Sequence, residues 1–131
     1  MNPVVHFEMA AENSKRMAEF YTKVFGWQTQ QLGPEMGEYI LVTTTQTDAN
    51  GRPTTPGAIN GGIYQKMDDP VMNHPSVVIA VDDINESIQN INNSGGKILG
   101  EVQDIPGIGK YVSFLDTEGN RVGMLQPSTN M

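Results

Sequence analysis

The sequence predicts an α+β fold, with two βαβββ modules forming a cupped eight-stranded mixed sheet. Three observations carry that expectation. The segment from Val4 to Trp27 returns in outline between Asn73 and Lys97, at an offset of 70 residues that pairs Asn13 with Asp83 and Gly26 with Gly96. Each copy runs a short β-branched strand into an acidic or amide turn, then an amphipathic helix and a glycine exit. Three further strand-like runs follow each helix. A chain of 131 residues reads as one domain over 1–131, with module one at 1–66, a linker at 67–75 and module two at 76–131. Each small sheet gives one face to its helix, and the other faces curve together into the cup.

The elements follow in order. Val4 to Met9 (VVHFEM) places β-branched or aromatic residues at alternate positions and reads as a strand. Asn13 or Ser14 supplies a helix N-cap, because a short polar side chain accepts from free N–H groups of the first turn. Met17, Phe20, Tyr21, Val24 and Phe25 recur at helical spacing as one apolar stripe, and Gly26 ends the helix by taking a left-handed cap. Strands are expected at 27–32 and 38–45 around a GPEMG turn, and at 59–65 after a long polar loop at 46–58. The Gly61-Gly62 pair in the last of these signals a bulge or a close backbone approach. In module two, 76–81 is a strand, Asp82 or Asp83 caps a helix carrying Ile84, Ile88 and Ile91, and Gly95-Gly96 ends it. Strands at 97–103, 110–115 and 121–125 follow, the last two joined by a tight turn in which Asp116 accepts from the backbone ahead and Gly119 supplies a positive φ.

Composition narrows the function classes. A net charge of −7, from 15 acids against 8 bases, argues against nucleic acid, which needs a basic stripe to neutralise phosphates. It argues equally against an anionic membrane surface and mildly favours neutral or cationic small ligands. The absence of cysteine removes disulfides, thiol nucleophiles and thiolate zinc sites. No basic leader and no long apolar run is present, so the expectation is a soluble cytoplasmic protein with neither a signal peptide nor a membrane span.

At this level of detail the chain resembles the vicinal oxygen chelate superfamily, the glyoxalase/bleomycin-resistance fold that also includes extradiol dioxygenases. The matching residues are His6, Phe20-Tyr21, Phe25-Gly26-Trp27, Val81-Asp82-Asp83, Gly95-Gly96 and Asp116-Thr-Glu-Gly-Asn120. They cover nearly the whole chain in order. In metal-using members, the resemblance implies a His or Gln early in the first strand of each module and a Glu on the last. Here His6 fills one such position. Ser76 stands at its counterpart, Gly123 stands where the second-module Glu would be, and INGGIYQ in module one offers no carboxylate. A divalent ion needs three or four converging donors, so neither a metal nor another cofactor is expected.

The candidate ligand-binding residues are His6, Glu8, Trp27, Tyr39, Asn60, Tyr64 and Tyr111. Strand alternation turns His6 and Glu8 towards the cup, with Phe7 and Met9 towards the helix. Two residues apart on one strand, His6 and Glu8 suit an acid/base pair and are the catalytic candidates. The plainer reading of each is a hydrogen-bonded histidine and a glutamate that is solvated or paired with an arginine. Trp27, Tyr39, Tyr64 and Tyr111 offer aromatic walls with polar tips, although strands are enriched in aromatics anyway. Asn60, like Gln126, offers an amide to orient a ligand, with simple exposure as the alternative. His74, in the linker, is expected to be exposed. The favoured function is a metal-independent small-molecule-binding protein similar to the bleomycin-resistance branch, acting as a homodimer. The alternative is a glyoxalase-like lyase or isomerase, or a dioxygenase, using His6 and Glu8 with or without a divalent metal. A third reading is a structural or regulatory module with no ligand.

Overall fold

The computed structural model describes residues 1–128. The chain is α+β, with eight strands and two α-helices among the described residues, distributed over two βαβββ units. One unit comprises His6–Pro75. The other begins at Ser76 and also includes Met1–Val5, where the Pro3 carbonyl accepts from the Ala80 N–H at 2.9 Å.

In the first unit β1 (Val4–Ala11) leads into α1 (Ser14–Phe25). The Asn13 side chain accepts from the Arg16 N–H at 2.9 Å, which settles the N-cap on Asn13. Gly26 closes the helix at φ 74°, a conformation that favours glycine. Strands β2 (Gln28–Gln31), β3 (Ile40–Thr43) and β4 (Asn60–Gln65) follow. They pair in the order β2-β3-β4-β1, antiparallel except for the parallel contact of β4 with β1, which sets Glu8 against Gly62 and His6 against Asn60. The GPEMG segment holds one turn of 3-10 helix at Pro34–Met36, and a second such turn lies at Pro70–Asn73.

The core of this unit lies between α1 and one sheet face. Ala11, Ala18, Ile40, Val42 and Ile63 are buried there, with Phe7, Met17 and Trp27 packed against them. The helical stripe expected from spacing is only partly used. Met17 and Tyr21 are half-buried, while Phe20, Val24 and Phe25 stay exposed. The small Ala18 draws the helix close to the sheet, and the residues on its flanks turn outward. Gly61 and Gly62 keep regular register without a bulge. They mark close approaches instead: a Cβ on Gly61 would lie 2.6 Å from the Phe7 ring.

The second unit repeats the scheme with β5 (Ser76–Ala80), α2 (Ile84–Asn93), β6 (Lys97–Ile105), β7 (Gly109–Leu115) and β8 (Arg121–Pro127). Its order is β5-β8-β7-β6, with β5 and β8 parallel. Asp83 caps α2 by accepting from the N–H groups of Asn85 and Glu86. Ile84, Val81, Val112 and Met124 form its core, with Ile88 and Ile91 packed against them. The β7–β8 turn is drawn together by Asp116, whose Oδ1 accepts from the N–H groups of Glu118 at 2.9 Å and Asn120 at 3.0 Å. Those bonds from Asn120 and Glu118 stabilise the carboxylate and hold the Asp116 pKa below its ordinary value. Among the described residues, no helix is long and apolar enough to cross a membrane.

Two substitutions probe these supports. Ile63→Ala, at a fully buried site, is expected to cost about 2–5 kcal/mol, and Asp83→Ala about 1 kcal/mol through the lost cap, both read by urea unfolding.

Candidate functional site

The sheet face of the first unit that turns away from α1 carries the polar chemistry. Alternation along β1 sends Phe7 to the helix side, where it meets Trp27 at 5.6 Å between ring centroids, and Tyr21 reaches the Met9 sulfur on that side at 3.8 Å. His6 and Glu8 therefore point the other way. Glu8 is buried at 8% exposure, unusual for a carboxylate and a mark of specific engagement.

Tyr39, just ahead of β3, joins the two. Its hydroxyl donates to Glu8 Oε2 at 3.1 Å and lies 3.0 Å from His6 Nε2. The ring reaches this place because Gly62 has no side chain: a Cβ there would lie 1.7 Å from the Tyr39 hydroxyl. Burial lowers the His6 pKa below 6.5, and the nearby Glu8 charge only partly offsets it. The imidazole is thus neutral near pH 7. With the Tyr39 proton committed to Glu8, the phenol oxygen accepts from His6 Nε2–H, and hydrogen-bond bookkeeping leaves the imidazole lone pair on Nδ1. The result is a chain of three side chains running from a neutral base to a buried carboxylate.

The other candidates fall in different places. Trp27 stacks on Tyr21 at 4.7 Å and 9°, within the packing on the helix side, and so does not join His6 and Glu8. Asn60 pairs with His6 in register, but its Oδ1 accepts from the Thr44 N–H at 2.8 Å and so anchors the start of the long loop. Tyr64 is buried and its hydroxyl donates to the Met72 carbonyl, tying β4 to the 3-10 turn. Tyr111 belongs to the second unit, where it lies over Gly123 and bonds to Arg121. Gln126 is spent on structure, since its Oε1 accepts from the Ile84 N–H at 2.9 Å as an additional cap of α2. A groove of about 420 Å³ lies between α1 and β2, lined by Lys15, Glu19, Thr22, Lys23 and Gln31 among others, and none of the candidates borders it.

Sequence reasoning missed Arg121. Period-two alternation places it on the same face of β8 as Gly123, and that signal was present in the strand.

These features belong to a known lineage. A family model of the Glyoxalase/Bleomycin resistance protein/Dioxygenase superfamily matches residues 4–124. The chain belongs to that superfamily. A glyoxylase-like domain-containing protein of Didymella fabae is 33% identical over 116 residues, which span 86% of this chain and 84% of that protein. Methylmalonyl-CoA epimerase from Mycobacterium tuberculosis superposes with a TM-score of 0.66 at 12% identity, over 96% of this chain and 88% of that one. A superfamily member from Vibrio splendidus 12B01 gives 0.61 at 17% identity, over 96% and 99% of the two chains. At these identities the two structures share the fold alone.

The metal-ligand positions of the superfamily can be compared with the side chains present. His6 Nε2 is bonded to Tyr39, the Ser76 hydroxyl accepts from Arg121, and Gly123 offers no donor and lies under the Tyr111 ring. Among the described residues, no group of three or more His, Asp or Glu side chains is placed to hold a metal ion. This donor set does not fit a divalent ion, which needs several converging N or O ligands.

The His6 linkage has a definite sign. Above pH 6.5 the ring is neutral whether the chain is folded or unfolded. Below it, the unfolded chain takes up a proton that the folded site resists, so stability falls with pH until the folded pKa is passed. His6→Gln is expected to flatten this acid-side decline in urea midpoints. Tyr39→Phe, which removes one hydrogen bond from buried Glu8, should cost about 1–3 kcal/mol at pH 7 by urea unfolding.

Proposed function

We propose that the chain is a metal-independent small-molecule-binding protein of its superfamily, with the ligand held at the His6–Tyr39–Glu8 face. The observation that carries this reading is the buried Glu8 carboxylate linked through one phenol to a neutral imidazole. Carboxylate, phenol and imidazole together recognise a polar or cationic group, and Tyr39 supplies aromatic surface for a flat one. The acidic net charge of −7 favours the same ligand class. The poor fit of the side chains to a divalent ion supports metal independence. The reading includes a cytoplasmic homodimer without nucleic acid or membrane partners. Support for pairing comes from β2, exposed along its whole length, and from the exposed Phe20, Val24 and Phe25 of α1.

A second reading, a glyoxalase-like lyase or isomerase, is favoured by the direction of the hydrogen-bond chain. His6 Nδ1 would accept a proton from a carbon beside a carbonyl while the Nε2 proton passes to Tyr39 oxygen and the Tyr39 proton to Glu8. The printed name of the Didymella fabae relative points the same way.

Native mass spectrometry and thermal unfolding against a panel of cationic and neutral aromatic compounds test the first reading. At least one compound should raise Tm by several degrees, since a ligand at 100 times its Kd adds about 2.7 kcal/mol. Glu8→Gln should abolish that shift. A panel without any stabilising compound would overturn the binding assignment. Deuterium exchange at carbon beside a carbonyl tests the second reading. It should fall sharply in His6→Ala, and an unchanged rate there would sink the enzyme assignment.

A further inference from the structure

Asparagine is a chemically labile residue, and most so before glycine, which puts no Cβ between the side-chain amide and the next backbone nitrogen and turns freely. The chain has two such pairs, Asn50-Gly51 and Asn60-Gly61. The structure puts them in opposite situations. Asn60 and Gly61 lie in β4, with β1 on one side and β3 on the other. Gly61 is buried and stands opposite Phe7 in one ladder and Val42 in the other. The Asn60 side chain is held as well, its Oδ1 accepting from the Thr44 N–H at 2.8 Å. Bringing the Gly61 nitrogen onto Asn60 Cγ would break both ladders.

Asn50 and Gly51 are both exposed, in the long loop at 46–58. They sit at the end of a small hairpin in which Thr47 bridges Pro53 and the Asp48 N–H donates to the Arg52 carbonyl at 2.8 Å. Asp48 draws this turn together. Its Oδ1 accepts from the N–H groups of Asn50 at 2.9 Å and Arg52 at 3.0 Å, and its carbonyl accepts from the Gly51 N–H at 3.0 Å. Gly51 has φ 79°, and a Cβ there would meet nothing within 4 Å, so the space around it is open. The bond from Gly51 to the Asp48 carbonyl is the one that has to open, and exposed backbone of this kind opens locally at small cost. We propose that Asn50 is a site of spontaneous deamidation, and that the sheet protects Asn60 from the same reaction. The Gly51 nitrogen gives its proton to solvent base and attacks Asn50 Cγ. The new N–Cγ bond closes a cyclic imide, the Cγ–Nδ2 bond breaks, and ammonia leaves with a proton taken back from solvent. Water then opens the imide. Addition at Cγ gives aspartate, and addition at the main-chain carbonyl carbon gives isoaspartate. Either product adds one carboxylate to a chain of net charge −7. Isoaspartate also inserts a methylene into the main chain ahead of Gly51, so the Gly51 and Arg52 N–H groups lose their reach to Asp48.

The test is incubation of the full chain in mildly alkaline buffer, native and in urea, followed by proteolysis and tandem mass spectrometry. The readout is the exchange of NH for O, assigned to residue 50 or residue 60, with electron-transfer fragmentation separating isoaspartate from aspartate. In the native chain the exchange is expected at Asn50 and not at Asn60. In urea both residues should convert, at similar rates, because neither keeps its surroundings. Asp48→Ala removes the side-chain acceptor of the turn and should speed conversion of native Asn50 several-fold. Gly51→Ala puts a methyl beside the attacking nitrogen and should slow it several-fold in urea, where the native φ of residue 51 no longer matters. Native Asn50 that stays intact while the urea-unfolded chain converts, native Asn60 that converts as fast as Asn50, or rates unmoved by both variants overturn the proposal.

Discussion

The contact of the Tyr39 ring with the bare backbone of Gly62 is the constraint on which the polar face of the first unit depends. Any side chain at residue 62 would take the space of the phenol, and without the phenol Glu8 and His6 lose the group that connects them. The parallel pairing of β1 with β4 places Gly62 beside Glu8, so sheet register and site chemistry are one arrangement. Burial then does the electrical work. It keeps His6 neutral, and a neutral imidazole is what donates to a phenol whose own proton is already given to a carboxylate.

The same device appears in the second unit with the opposite charge. Tyr111 lies over Gly123 as Tyr39 lies over Gly62, but its hydroxyl meets the guanidinium of Arg121 rather than a carboxylate. A tyrosine on a strand glycine is thus a way of fixing a phenol at a set height above a sheet, indifferent to the sign of its neighbour. Gly123, where the resemblance to metal-using members would put a carboxylate, holds this pairing of glycine and ring instead.

Much of the fold was legible because it rests on local signals. Asn13, Gly26, Asp83 and the Asp116 turn act within four residues of themselves, and the structure shows each in the expected role. The strand alternation that separated His6 and Glu8 from Phe7 and Met9 is also local. The site was less legible because its partners come from distant positions. Trp27 and Tyr39 look alike as aromatics near strands, and only packing sends one to the helix side and the other over Gly62. Asn60 and Gln126 look like ligand amides, yet Asn60 accepts from a loop N–H and Gln126 caps a helix, both over separations that no periodicity reveals. The stripe on α1 misled for a related reason: helical spacing reports which residues share a side, not how close the helix sits to its sheet.

The inclusion of Met1–Val5 in the unit that begins at Ser76 bears on how the chain can be made. Residues 1–5 cannot make this contact until the Ala80 N–H has been synthesised to meet the Pro3 carbonyl. During that interval they are an unpaired strand end, exposed to chaperones and proteases. A fragment starting at Ser76 would lack this segment, so the second unit is a complete folding unit only when residues 1–5 are supplied to it.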